Sequence, residues 1–97
     1  MNEARLRRVL GEGGEEHTEK AINSRVSRAA RAEDALGMDL DYVVSDDDRM
    51  YRALIKLRDS GLNRTDNLMN ALRWYYRAIN GKAFPRLTAY ERGMRPE

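Results

Sequence analysis

The segment from Asn63 to Asn80 is apolar around a wide arc when it is read as a helix. Its apolar residues form two adjacent stripes, which are Leu68, Leu72, Tyr75 and Ile79, and Ala71, Trp74 and Ala78. A helix of this kind normally has packing partners on several sides. Because a monomer of 97 residues with 41% apolar residues buries only a thin core, the arc predicts a homodimer with a shared core.

The formal net charge of +2 conceals three segments of different charge. Residues 1–37 are neutral, residues 38–48 carry −5 from five aspartates, and residues 49–97 carry +7. Nine of the eleven bases in the last segment are arginine, whose planar guanidinium suits phosphates and base edges. The C-terminal half is therefore predicted to bind an anionic partner.

Residues 1–37 are predicted to form a partly helical N-terminal extension. Apolar residues up to Leu10 favour one or two helical turns, which the glycines that follow would end. From about His17 to Leu36, apolar side chains recur at steps of three and four residues among charges. This spacing favours an amphipathic helix that stops at Gly37.

The segment from Met38 to Ser45 alternates with a period of two over β-branched and aromatic residues. The two sets of alternating positions are Met38, Leu40, Tyr42 and Val44, and Asp39, Asp41, Val43 and Ser45. This period predicts one short strand. A single strand cannot satisfy its backbone hydrogen bonds, so it either pairs with the same strand of a second chain or the segment belongs to a helix or loop.

Two helices are predicted after this segment. Side chains between Ser45 and Asp48 would cap the first, which would end at Gly61, and the second would begin at Asn63. The segment from Gly61 to Thr65 holds a glycine, a capping polar residue, a basic residue and a threonine. With the order strand, helix, turn and helix, it resembles the ribbon-helix-helix family of Arc- and MetJ-type repressors.

The resemblance covers about residues 39–81 and implies a mainly α fold with one short strand per chain, in a core of residues 38–81. Two such chains would intertwine as a dimer, and their paired strands would enter the DNA major groove. The residues themselves leave an all-α helical bundle as the alternative. The predicted dimer core contains Leu40, Tyr42, Val44, Leu54, Leu68, Leu72, Trp74 and Tyr75.

Three groups of residues are candidates for contact with DNA. The resemblance implies a phosphate clamp at the start of the second helix, formed by Asn63, Arg64 and Thr65. It implies that the strand turns three side chains toward the groove, which are Asp41, Val43 and Ser45. An arm from the N-terminal extension would add Arg25, Arg28 and Arg31.

Several classes of function have no support in the sequence. Cysteine is absent, which excludes disulfides, thiolate zinc sites and thiol catalysis. The chain has no glycine-rich phosphate loop and no spacing typical of a metal site, and its aspartates fit helix capping better, so neither an enzyme nor a cofactor or metal is predicted. No segment approaches the roughly 20 apolar residues of a membrane span, which predicts a cytoplasmic protein.

The expected function is a dimeric DNA-binding protein, sequence-specific or accessory, such as a small repressor, an antitoxin or a plasmid-transfer factor. Trp74 could stack on bases, but its helical spacing favours core packing. The alternative is a non-catalytic phage or plasmid module that binds or inhibits a partner protein. Residues 82–97 would then be a partner-binding tail with the anchors Phe84, Leu87 and Tyr90.

Overall fold

The computed structural model describes residues 1–12, 18–61 and 67–94, and every regular element in these ranges is an α-helix. The helices are α1 (Glu3–Gly11), α2 (Glu19–Leu36), α3 (Leu40–Val44), α4 (Asp47–Asp59), α5 (Asn67–Asn80) and α6 (Leu87–Met94). None of them is long and apolar enough to span a membrane. The fold is therefore mainly α and agrees with the alternative of an all-α bundle.

Local side chains explain where four of these helices begin. The side-chain oxygens of the capping residues accept hydrogen bonds from main-chain N–H groups in the first turn, as expected for unpaired donors at a helix start. The capping residues are Asn2 for α1, Thr18 for α2, Asp39 for α3 and Asp46 for α4. The predicted end of α2 is confirmed, since Gly37 closes it with a positive φ of 66°.

The strand predicted for Met38–Ser45 is wrong, and with it the intertwined ribbon-helix-helix-like dimer. Asp39 accepts a hydrogen bond at 2.8 Å from the N–H group of Asp41 and starts a helix there. Val43, which was predicted to face the DNA groove, is fully buried, whereas Tyr42, which was predicted to lie in the core, is 53% exposed. Helical spacing places positions 40, 43 and 44 on one face, and these are the positions that the core requires.

The predicted shared core is replaced by packing within one chain. Helix α5 packs against α1, α2, α3 and α4, so its wide apolar arc is covered by the chain's own helices. Six of the residues predicted for the dimer core are buried here, which are Leu40, Val44, Leu54, Leu68, Leu72 and Tyr75. Trp74 is only half-buried and lies at the surface of α5.

The three anchors predicted for a partner-binding tail pack against this chain. Phe84 is only 4% exposed, and its ring centroid lies 5.1 Å from that of Tyr76 and 5.1 Å from that of Tyr90. Tyr90 also stacks on Tyr51 of α4 at 5.2 Å, and Leu87 packs against the core. The residues after α5 thus hold α6 on the helical body.

Candidate nucleic-acid interface

Helices α2 and α5 lie side by side and run in opposite directions. Near the start of α5, Leu68 lines a surface depression with Arg31 and Ala35 of α2. Two turns later in α5, Trp74 contacts Arg25, which precedes Arg31 in α2. The edge of α2 that follows α5 therefore carries arginines at successive turns.

Trp74 lies among arginines from both helices. The guanidinium carbon of Arg25 is 5.3 Å from the centroid of the indole ring, and that of Arg77 is also 5.3 Å away. Such cation–π contacts contribute about 0.5–1 kcal/mol each at exposed sites. They hold the two guanidinium groups at one place on the surface, although both carry the same charge.

A depression opens beside Trp74, between α5 and the segment that leads to α6. It has a volume of about 210 Å³ and is lined by Asn70, Arg73, Trp74, Arg77, Ala83 and Phe84. Arg73 is held in place because its Nη1 donates to the main-chain oxygens of Phe84 at 3.0 Å and Pro85 at 3.2 Å. Burial lowers the pKa of Arg73, but an arginine remains charged at neutral pH.

We refer to Arg25, Arg28, Arg31, Arg73 and Arg77 together as the arginine face. Within residues 1–12, 18–61 and 67–94, no member of this face forms an ion pair with a carboxylate. Asp34 lines the same depression as Arg31 without pairing with it. Uncompensated positive charge of this density attracts an anionic partner.

The five aspartates of residues 39–48 are engaged in the fold. Asp39 and Asp46 cap helices, and main-chain hydrogen bonds are the largest cause of the lowered pKa of each. The other three accept hydrogen bonds from buried or half-buried tyrosine hydroxyl groups, in the pairs Tyr75–Asp41, Tyr76–Asp47 and Tyr90–Asp48. In the part of the chain that the structure describes, no group of three potential metal ligands occurs.

These tyrosine–aspartate pairs give a prediction for alkaline pH. Burial, followed by the 2.7 Å hydrogen bond to Asp47, raises the pKa of Tyr76 to about 12. Since this exceeds the ordinary value of about 10, the contribution to stability is complete below pH 10 and is lost as the pH rises toward 12. Urea unfolding at several pH values should therefore show a weaker alkaline loss in Tyr76→Phe than in the wild type, and identical pH profiles would contradict the assignment.

The predicted DNA contacts have different positions in the structure. Arg25 reaches Trp74, Arg31 lies beside Leu68, and Arg28 lies between them on α2. Asp41 and Ser45 are exposed on and after α3, next to the buried Val43, so the groove-facing set is dispersed. The predicted phosphate clamp of Asn63, Arg64 and Thr65 lies outside the described residues.

The sequence interpretation missed Asn70, Arg73 and Arg77 as members of a site. A signal for them exists, because Asn70, Arg73, Trp74 and Arg77 are spaced by three and four residues and share one face of a helix. No sequence signal indicates that Arg25 of α2 reaches the same tryptophan, because the two residues are 49 positions apart. Only the packing of α2 against α5 brings them together.

The chain matches no protein-family model, no curated protein and no solved structure. The function is therefore inferred from the chemistry of the surface.

Proposed function

We propose that this protein binds DNA through its arginine face, as an accessory or regulatory factor. The observation that carries the proposal is the set of five arginines that surround Trp74 without ion pairs to carboxylates among the described residues. A guanidinium group donates two parallel hydrogen bonds to a phosphate. DNA offers a regular row of phosphates to such a face.

The spacing of the arginines suits contact with the DNA backbone. Arg25, Arg28 and Arg31 span about 9 Å along the axis of α2, and Arg77 lies across from them on α5, next to Trp74. Contacts to phosphates provide affinity and fix orientation, whereas sequence is read through base edges. We therefore propose binding that depends mainly on the backbone, which favours an accessory role over a highly sequence-specific one.

Salt dependence is the first test of this proposal. If all five arginines contact phosphates, the plot of log K against log salt for duplex DNA should have a slope of about −4.5, and affinity should fall roughly 500-fold between 50 and 200 mM salt. Fluorescence anisotropy with labelled DNA, both duplex and single-stranded, measures this directly. Failure to bind either form at low salt, or a slope near zero, would rule the proposal out.

The alternative function, a module that binds a partner protein, has less support. Its predicted anchors Phe84, Leu87 and Tyr90 pack on this chain, and its acidic residues are used in helix caps and tyrosine contacts. Neither feature leaves an apolar surface for a partner.

A further inference from the structure

The depression beside Trp74 has the size of a site for a single planar group. Its volume of about 210 Å³ lies below the roughly 300–1,000 Å³ of pockets that enclose drug-sized ligands. Two of the six lining residues, Trp74 and Phe84, are aromatic. Phe84 is almost fully buried, so Trp74 supplies most of the ring surface that a ligand would meet.

The polar groups around this depression match the parts of a nucleotide. Asn70 is exposed, and its amide provides both a donor and an acceptor for the edge of a base. Among the described residues, Arg73 makes its hydrogen bonds through Nη1, which leaves Nη2 and Nε for a ligand. Arg77 stands at the same depression and would meet the phosphate that is attached to the base.

We propose that this depression binds one unpaired base of DNA, so that the protein prefers single-stranded to duplex DNA. The inference rests on the proposed function and specifies its substrate. Bases inside a duplex are stacked and paired, so they cannot enter a pocket beside an indole ring, whereas an unpaired base can. Electrostatics alone would predict the opposite preference, because the duplex carries the higher charge density.

The guanidinium groups near Trp74 do not prevent this binding. An entering base would take the place of one of them at the ring, and the displaced arginine would move to a phosphate of the same strand, where it pairs with an opposite charge. A stacked base contributes about 5- to 150-fold in affinity on top of the backbone contacts. This range is the expected preference for the single strand.

Intrinsic fluorescence gives a direct test because Trp74 is the only tryptophan of the chain. The probes are a thymidine oligonucleotide of about 15 nucleotides and the duplex that it forms with its complement, compared at one salt concentration. The single strand should quench Trp74 and bind about 5- to 150-fold more tightly than the duplex. Ala83→Leu, which fills the depression and keeps all charges, should remove this preference without weakening duplex binding.

The matched control is Ala30→Leu, which adds the same side chain at an exposed position of α2 and should keep the preference. Equal affinity for the two probes, unchanged fluorescence, or an equal effect of Ala83→Leu on both would overturn the inference and leave the proposed function standing. Absence of binding to either probe at low salt would overturn both.

Discussion

Replacing Arg31 and Arg77 together with glutamine is expected to lower duplex affinity by roughly 60-fold at 0.1 M salt. Each phosphate contact contributes about 0.9 to the slope of log K against log salt, so two lost contacts reduce the slope by about 1.8. Glutamine keeps the helix propensity and much of the side-chain length, and neither arginine forms an ion pair among the described residues. The loss should therefore appear in binding and leave folding unchanged.

A matched double variant separates the arginine face from net charge. Arg52 and Arg58 are exposed on α4, and their replacement with glutamine removes the same two charges from another part of the surface. This control should retain nearly the wild-type slope in anisotropy measurements across salt concentrations. If both double variants lose affinity equally, the DNA does not occupy the arginine face.

Replacing Tyr75 with alanine is expected to destabilise the protein by about 3–5 kcal/mol, by analogy with other large aromatic deletions in cores. Tyr75 is fully buried, and its hydroxyl group accepts a hydrogen bond at 2.6 Å from the N–H group of Asn2 and donates one to Asp41. The side chain thus connects α5 to the start of α1 and to α3. For a chain with a total stability of about 5–15 kcal/mol, this loss is large.

Two further variants separate the contributions of this side chain. Tyr75→Phe keeps the ring and should cost about 0.5–1.5 kcal/mol, since only the hydrogen bonds of the hydroxyl group are lost. Tyr42→Ala removes a 53% exposed ring that contacts Arg49, and should cost about 1 kcal/mol or less. Urea denaturation measures all three, and an equal cost at positions 42 and 75 would contradict the arrangement of the core.

The same measurements bear on self-association. A core that is complete within one chain predicts that the unfolding midpoint does not depend on protein concentration, whereas a shared core makes it rise with concentration. Tyr75 and Leu72 were predicted for a dimer core, and both are buried by the chain's own helices.

Most helices could be predicted because their signals are local. The turns before Leu10, the helix that stops at Gly37 and the helix that starts after Asp46 are all present. Each depends on neighbouring residues alone, through apolar spacing and side chains that cap the ends. Helix α6 was missed, although Leu87 and Tyr90 are spaced as one face of a helix.

The segment from Leu40 to Val44 shows where a local pattern is ambiguous. Positions 40 and 44 share a face in a strand and also in a helix, so they do not distinguish the two. Positions 42 and 43 do, and the core accepts Val43 while Tyr42 remains exposed. Tertiary packing made that choice, because five residues have too little intrinsic preference to decide it.

The sequence by itself determined the helical class of most of the chain, the segregation of its charges and the need to cover a wide apolar arc on α5. Only the tertiary structure decided that the chain's own helices cover that arc, that the aspartates pair with tyrosines, and that Arg25 meets Arg77 at Trp74. The physical reason is distance along the chain. Periodicity and capping act between neighbours, whereas a surface site is assembled by packing between helices whose residues are far apart in sequence.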